Sequence, residues 1–157
     1  AAARMLTEVA CRDRPVRLVL FDQEEVGLIG STYLAGALRQ AGTAVAAVHT
    51  VDQIGWDADG DRRFEIEQPT AALFAEYQAA AATLGVAVTS TAGSRTDHQA
   101  FREAGFAAVG VSEEYVGGDT TPHYHAATDT AATLDLPFVA LGARLVALVI
   151  ARAVGAP

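Results

Sequence analysis

The sequence predicts an α/β fold in which a mostly parallel β-sheet lies between helices. Short, nearly continuous apolar runs alternate along the chain with longer segments of helical spacing, and this alternation is typical of strands connected by helices. A chain of 157 residues with 51% hydrophobic side chains is long and apolar enough to bury a substantial core. No internal repeat or linker divides the sequence, so we expect a single domain over residues 1–157.

The strands are predicted from apolar runs of four to eight residues that end at turn-forming residues. Val16–Phe21 is a nearly continuous apolar run, which predicts a strand covered on both faces. Arg63–Glu67 is predicted to be an edge strand, and Gly117–Thr130 an irregular loop. The remaining predicted strands are Ala44–Val51, Val86–Thr89 and Ala107–Val111.

The helices are predicted from apolar spacing and from the residues at their ends. Gly42 and Gly85 close two of them, because glycine readily adopts the left-handed conformation that follows a helix. The most apolar stretch, at the C-terminus, contains two arginines and a proline, so we predict a buried helix and no membrane span. The predicted helices are Ala1–Ala10, Ser31–Gln40, Pro69–Leu84, Asp97–Glu103 and Pro137–Val154.

Charge and cysteine content exclude some classes of protein. A net charge of -8 does not suit a nucleic-acid-binding protein, which needs a basic surface for the phosphates. The single cysteine, Cys11, excludes an internal disulfide and a metal site built from several cysteines, and we interpret it as a small buried residue. The first ten residues lack the charged start and apolar run of a secretory signal, and the sequence assigns no compartment.

Candidate metal ligands follow the predicted strands. Glu24 and Glu25 come directly after the first strand, Asp52 ends the second, and His125 lies in a loop after a later strand. In open α/β sheets, ligands bind beyond the carboxyl ends of the strands. Carboxylate oxygens and imidazole nitrogens are zinc ligands, so these side chains are predicted to converge on a zinc site. Each alone has a commoner interpretation, as a solvated acid, a turn residue or a surface histidine.

The neighbours of these residues suit hydrolysis by a metal-activated water. Of two adjacent glutamates, one can bind the metal while the other accepts the proton of the water as general base. Tyr124 precedes His125 and Asp129 follows it, which places a phenol and an orienting acid close to the imidazole. His49 lies within a strand pattern, and a structural role is predicted for it.

Four segments resemble the motifs of two-zinc aminopeptidases, a family that includes bacterial secreted leucyl aminopeptidases and, more distantly, enzymes like glutamate carboxypeptidase II. FDQEEVGLIGS (Phe21–Ser31) resembles F-x-G-E-E-x-G-L-x-G-S, and VDQIG (Val51–Gly55) resembles L-D-M-I-G. SRTDHQAF (Ser94–Phe101) is similar to R-S-D-H-x-x-F, and PHYHAATDT (Pro122–Thr130) to P-x-Y-H-T-x-x-D-T. The motifs occur in the family's order, and the resemblance runs from about Val16 to the C-terminus.

The resemblance implies a mixed, mostly parallel sheet between helices, two zinc ions and a role for each matched residue. Glu24 resembles the general base, and Tyr124 the tyrosine that stabilises the oxyanion of the tetrahedral intermediate. Glu25 and His125 resemble ligands of one zinc, and Asp52 a ligand of the other. The remaining matches are Arg95 as a residue that contacts substrate, and Asp97 and His98 as residues that support the site.

The sequence also departs from the family's pattern. Gln23 stands where the family has glycine, and Gln53 where it has methionine. The family's H-x-D-S histidine and its bridging aspartate have no counterpart in the sequence, so we expect a C-terminal part of a longer enzyme, inactive alone and holding one zinc ion or none. An oligomer is then expected to cover the exposed face, and the resemblance suggests an extracellular parent.

Three functions remain open. The first is an aminopeptidase that removes N-terminal residues, mainly apolar ones, from peptide substrates. The second is a catalytically inactive domain that serves binding or assembly. The third is a relative with another substrate, such as a glutaminyl-cyclase-like transferase or a carboxypeptidase.

Overall fold

The computed structural model describes Arg4, Leu6 and residues 13–155. Over these residues the sheet has four strands, which lie in the order β1-β4-β2-β3. β1 pairs parallel to β4 and β2 parallel to β3, whereas β2 and β4 are antiparallel. The predicted mixed, mostly parallel sheet is therefore confirmed. The strands are β1 (Val48–Val51), β2 (Arg63–Glu67), β3 (Ala87–Thr91) and β4 (Ala108–Ser112).

Local signals account for the ends of the helices. The side chain of Thr70 accepts a hydrogen bond from the Leu73 amide at the start of one helix, which ends at Gly85 with a positive φ of 67°. Asp135 caps the last helix in the same way. The predicted helix Ala1–Ala10 and Cys11 lie, apart from Arg4 and Leu6, outside the described residues. The helices are α1 (Ile29–Gln40), α2 (Ala71–Leu84), α3 (His98–Glu103) and α4 (Leu136–Ala153), with a 3-10 turn at Ala131–Thr133.

The two faces of the sheet carry separate apolar clusters. On one face, Phe64 and Ile66 of β2 and Val109 of β4 pack with side chains of α2 and α4. On the other face, Ala108 packs against Ala35 of α1 and Phe101 of α3 in a smaller cluster. The sheet thus lies between two pairs of helices, as predicted. The candidate site lies on the second face of the sheet. Successive side chains of a strand point to opposite faces, so Ser112, which lines the pocket of the site, lies on the face opposite Val111.

β2 is a central strand, and its prediction as an edge strand is wrong. It pairs with β3 on one side and with β4 on the other. Charged and apolar residues alternate along β2, and Glu65 and Glu67 are both buried. Glu65 accepts hydrogen bonds from the amides of Val116 and Gly117 at 2.9 and 2.5 Å. A loop therefore covers the face of β2 that carries Glu65.

The predicted first strand, Val16–Phe21, is not a strand in the structure. The segment hydrogen-bonds to no strand among the described residues, and Leu18 and Leu20 are 60% and 99% exposed. An apolar run becomes a buried strand only where a neighbouring strand and a covering layer are available, and the described residues supply neither here. Phe21 alone packs inward, with its ring 5.7 Å from that of Phe101.

The C-terminal helix is a core element, as predicted. Phe138, Leu145 and Val149 of α4 are buried against the sheet, and the Phe138 ring stacks on Phe64 with centroids 4.4 Å apart. By length and composition alone, α4 is the one helix in the described part of the chain that could also cross a membrane.

Candidate metal centre

A tight turn presents Glu24 and Glu25 before α1. The Glu24 carbonyl accepts hydrogen bonds from the amides of Gly27 and Leu28 at 3.1 and 2.9 Å. Gly30 is required because a Cβ there would lie 2.6 Å from the Asp22 carbonyl oxygen. Gln23 enters the turn with a φ of 57°, the left-handed region that glycine tolerates best. The adjacent glutamates thereby differ in environment: Glu24 is half-buried and Glu25 is exposed.

The end of β1 positions Asp52 beside β4. The Asp52 amide donates to the Val111 carbonyl at 3.2 Å, which continues the sheet pairing by one residue. The chain then turns at Gln53, which has a φ of 62°, and the Gln53 carbonyl accepts from the Glu113 amide at 2.8 Å. Asp52 is therefore held by backbone contacts on both sides of the turn.

His125 and Glu25 meet although they are a hundred residues apart in the chain. The His125 Nε2 atom lies 3.0 Å from the Glu25 Oε1 atom. Both side chains are more than half exposed, at 55% and 68%. The Tyr124 ring stacks on the His125 imidazole with centroids 3.9 Å apart and an angle of 17° between the planes. The loop after β4 thus brings the imidazole and the phenol to the glutamate turn.

Two carboxylates of this region, those of Glu24 and Asp52, have a raised pKa. Burial, followed by the charges of Asp52, Glu25 and Asp97, raises the pKa of Glu24 from 4.5 to about 6. The pKa of Asp52 is also raised, first by burial and then by Asp97 and Glu25. His125 acts in the opposite direction on both groups. The charges of Glu25, Asp97 and His125 thus act on both Glu24 and Asp52.

The donor set suits a divalent cation. A carboxylate and an imidazole bound to one tetrahedral zinc have donor atoms roughly 3.4 Å apart, from bond lengths of about 2.1 Å, and the Glu25–His125 pair is close to that spacing. The Asp97 Oδ1 atom is buried without a hydrogen-bond partner, and its charge raises the pKa of Glu24 and Asp52. A cation would therefore relieve repulsion among acids that already lie close together.

Glu25 and His125 form a close pair, and the Asp52 carboxylate is not grouped with them. Within the described residues, the only three candidate donors whose atoms all lie within 4.8 Å of one another are Asp57, Asp59 and Asp61, in a turn between β1 and β2. Asp52 does not join Glu25 and His125 in such a group. The assignment of Asp52 to a different ion position from the Glu25–His125 pair stays a prediction.

A pocket of about 380 Å³ opens beside the glutamate turn. Glu24, Asp52 and Tyr124 line one part of it, and Arg95 contributes an exposed side chain. Burial raises the pKa of Tyr124, and the charges of Glu25 and Glu24 add to the effect, which keeps the phenol protonated at neutral pH. The remaining lining residues are Glu25, Gln53, Glu67, Ala92, Gly93, Ser94, Thr96, Ser112, Tyr115 and Val116.

Of the predicted supporting residues, His98 contacts residues that line the pocket, whereas Asp129 lies at a separate pocket. His98 is fully buried, and its imidazole contacts Thr96 Oγ1 at 2.7 Å and the Gly93 carbonyl at 3.2 Å. Asp129 is exposed and lines a smaller, separate pocket beside Trp56 and Glu113. His125 bonds to Glu25 in place of Asp129. His49 contacts the buried Tyr77 hydroxyl at 2.9 Å, which fits its predicted structural role.

Sequence reasoning missed Glu67, Glu113 and Tyr115. Glu67 is the last residue of β2 and Asp52 follows the last residue of β1, so the two acids carry a similar sequence signal. Glu113 follows β4 directly, and its carboxylate accepts from the amides of Trp56 at 2.9 Å and Thr121 at 3.4 Å. Nothing in the sequence marks Tyr115, which reaches the pocket through the course of its loop.

Comparisons with known proteins identify a family and solved structures that this chain resembles. The profile of Peptidase family M28 matches residues 1–150. A zinc aminopeptidase from Bacillus subtilis, BSAP, superposes with a TM-score of 0.87 at 22% identity, over 98% of this chain and 39% of that one. The Legionella pneumophila aminopeptidase LapA superposes with a TM-score of 0.84 at 24% identity, over 99% of this chain and 44% of that one.

A second group of solved structures shares the fold less closely. A glutaminyl cyclase from an Acidobacteriales bacterium superposes with a TM-score of 0.59 at 23% identity, over 81% of this chain and 45% of that one. The comparison with curated proteins gave no match. The present chain spans about two-fifths of the length of the aminopeptidases described above.

Proposed function

Because this chain belongs to peptidase family M28, whose profile covers residues 1–150, we propose that its protein is a zinc-dependent aminopeptidase. The observation that supports this most directly is the Glu25–His125 contact of 3.0 Å beside a half-buried Glu24. A carboxylate–imidazole pair of this spacing suits zinc, and the adjacent acid is free to act on a water. The substrate is a peptide, and the scissile bond follows its N-terminal residue.

Each residue has a distinct role in this proposal. Glu25 and His125 hold one ion and Asp52 the other. Zinc, when bound, lowers the pKa of a water to about 7 and polarises a carbonyl group. Glu24 accepts a proton at its carboxylate and later gives that proton to the leaving amine. The Tyr124 phenol donates a hydrogen bond to the oxygen that becomes negative, and Arg95 contacts the substrate at the pocket's exposed side.

A glutaminyl-cyclase-like transferase is the second candidate, supported by the fold shared with the Acidobacteriales cyclase. A peptidase consumes water and releases a free N-terminal residue, whereas a cyclase would close an N-terminal glutamine on itself and release ammonia. Mass spectrometry of a peptide with N-terminal glutamine separates the two. A loss of 17 Da without cleavage would favour the cyclase, and a shortened peptide would favour the peptidase.

The proposal predicts different consequences for the base and for the ligands. Glu24→Gln should keep zinc content and cut kcat by ~10²–10⁴, the usual contribution of a general base. Asp52→Ala and His125→Ala should instead lower zinc content. Hydrolysis of leucyl-p-nitroanilide and atomic absorption measure the two effects on zinc-supplemented protein.

Because Glu24 must be ionised to act, kcat/KM of the unmodified protein should fall on the acid side, at or below pH 6.

A matched control is Glu114→Gln, which removes a carboxylate next to Arg63 and outside the pocket. This variant should retain both activity and zinc. Full turnover by Glu24→Gln would remove Glu24 from the role of base, and no hydrolysis by the zinc-supplemented protein would favour the inactive binding or assembly domain.

A further inference from the structure

Glu67 is a buried carboxylate on the floor of the pocket, outside the proposed metal ligands. It ends β2, is 4% exposed and lines the same 380 Å³ pocket as Asp52 and Tyr124. Two glycines make the space that it occupies. A Cβ at Gly93 would lie 2.8 Å from the Glu67 Oε1 atom, and a Cβ at Gly110 would overlap its Oε2 atom.

The hydrogen bonds around Glu67 leave this carboxylate short of donors. His98 Nε2 faces the Gly93 carbonyl at 3.2 Å, so Nε2 carries the proton and Nδ1 is an acceptor. The single Thr96 hydroxyl proton then goes to Nδ1 at 2.7 Å, in preference to Glu67 Oε2 at 3.4 Å. Among the described residues this leaves the Ser112 hydroxyl, 3.3 Å from Oε1, as the donor to Glu67.

No described cation neutralises Glu67. His98 Nδ1 lies 3.5 Å from Glu67 Oε2, but burial lowers the pKa of His98 to about 4, so this histidine is neutral at pH 7. None of the ion pairs between described residues joins Arg95 to Glu67. The charges of Glu65 and Asp52 add to the effect of burial in raising the pKa of Glu67. A buried carboxylate in such a negative environment is stabilised by a donor with positive charge.

The pocket walls suit the rest of a long cationic side chain. Ala92, Val116, Tyr115 and Tyr124 are the apolar and aromatic residues among those that line the pocket. Lysine and arginine carry an apolar stem of three or four methylene groups and a charged end, so such walls and such a floor complement both parts. An apolar side chain would fill the pocket but would give the Glu67 carboxylate no charged donor.

We propose that Glu67 determines specificity, by accepting the ammonium or guanidinium group of a basic N-terminal residue in the peptide substrate. The inference rests on the proposed aminopeptidase function and departs from the apolar preference that the family resemblance implied. A charged hydrogen bond of this kind contributes roughly 1.5–3 kcal/mol, or about 10- to 100-fold in the specificity constant.

The kinetic test compares lysyl- and norleucyl-p-nitroanilide, which differ in the terminal charge of the side chain. Wild-type protein should prefer the lysyl substrate. Glu67→Gln should lower kcat/KM for the lysyl substrate about 10- to 100-fold and change that for the norleucyl substrate less than about threefold. Glu114→Gln, outside the pocket, should leave the preference unchanged. A preference retained in Glu67→Gln, or hydrolysis of both substrates without a preference in wild type, overturns the inference but leaves the peptidase proposal intact.

A binding test separates the inference from the catalytic proposal. Isothermal titration of wild-type protein with L-lysinamide and L-norleucinamide should show tighter binding of lysinamide by about tenfold or more. The difference should disappear in Glu67→Gln, and thermal melting establishes that this variant is folded. Lysinamide binding that depends on Glu67 would support the inference even if no substrate is hydrolysed. Equal binding of both amides, or binding of neither, would overturn it.

Discussion

The backbone conformation of single residues shapes the candidate site. Gln23, Gln53 and His125 have φ angles of 57°, 62° and 53°, and each lies beside or within the proposed ligand set. The left-handed conformation costs roughly 1–2 kcal/mol for a residue with a Cβ atom. Such residues cluster at functional sites, where the surrounding contacts hold them in place. The turn before Glu24 is therefore strained by its sequence, since the resembled motif has glycine where this chain has Gln23.

Gln23→Gly should stabilise the fold. Glycine removes the Cβ strain of the left-handed conformation and loses some conformational entropy, so the free energy of unfolding should rise by about 0.5–1 kcal/mol. Urea denaturation measures the change. Gln78→Gly, at an exposed position inside α2, is the matched control and should lower the free energy of unfolding by about 1 kcal/mol. Equal losses in both variants would show that the Gln23 side chain supports the turn.

Residue types predicted part of the site and missed the rest for a physical reason. Glu24, Glu25 and His125 were predicted because acids and histidines next to apolar runs suggest metal ligands, and the structure brings them into one environment. Glu67 was missed because its burial depends on a covering loop, which periodicity does not reveal. A polar position in a strand can face solvent or an internal site, and the pattern alone is the same for both.

At the scale of elements, Glu113 joins the loops that carry the proposed site residues. Its carboxylate accepts from Trp56, in the turn after Asp52, and from Thr121, in the loop that leads to Tyr124. Asp119 adds a second link, because it accepts from the Trp56 indole at 3.2 Å and from the Ala58 amide at 2.7 Å. The loop after β4 is thereby fixed relative to the end of β1.

Glu113→Gln should loosen this connection. The amide group of glutamine turns a donor toward one of the two backbone N–H groups, so one loop loses its acceptor. We expect zinc affinity to fall by about 10- to 100-fold, as for other residues that orient metal ligands. Competition with a fluorescent zinc chelator measures the affinity, and Glu114→Gln controls for the loss of one negative charge. Unchanged affinity in Glu113→Gln would limit its carboxylate to a role in folding.

The strand predictions show how much of the fold is determined by local sequence. β1, β3 and β4 were predicted within a few residues, because apolar runs between glycines and helices have few alternatives. Val16–Phe21 carries the same signal but pairs with no strand among the described residues, since strand formation needs a partner that local sequence does not specify. Local sequence also does not specify the order of the strands, and in the structure that order places β2 inside the sheet.

In the described part of the chain, the segment Val16–Phe21 leaves apolar side chains exposed. Leu18 is 60% and Leu20 is 99% exposed, and Val51 at the end of β1 is 51% exposed. β1 is also an edge strand, with β4 as its one neighbour among the described residues. An exposed apolar segment near an open strand edge favours association with another chain.

We predict that a second copy of this chain covers the surface, so the isolated protein should self-associate as its concentration rises. The double variant Leu18→Ser and Leu20→Ser should shift the equilibrium toward monomer, because it removes the apolar area that association would bury. Leu136→Ser is the matched control, since Leu136 is 63% exposed at the start of α4, on the helical layer opposite the candidate site. Sedimentation equilibrium measures the dimer fraction. A monomer at all concentrations, or equal effects of the two sets of substitutions, would show that Leu18 and Leu20 drive no such contact.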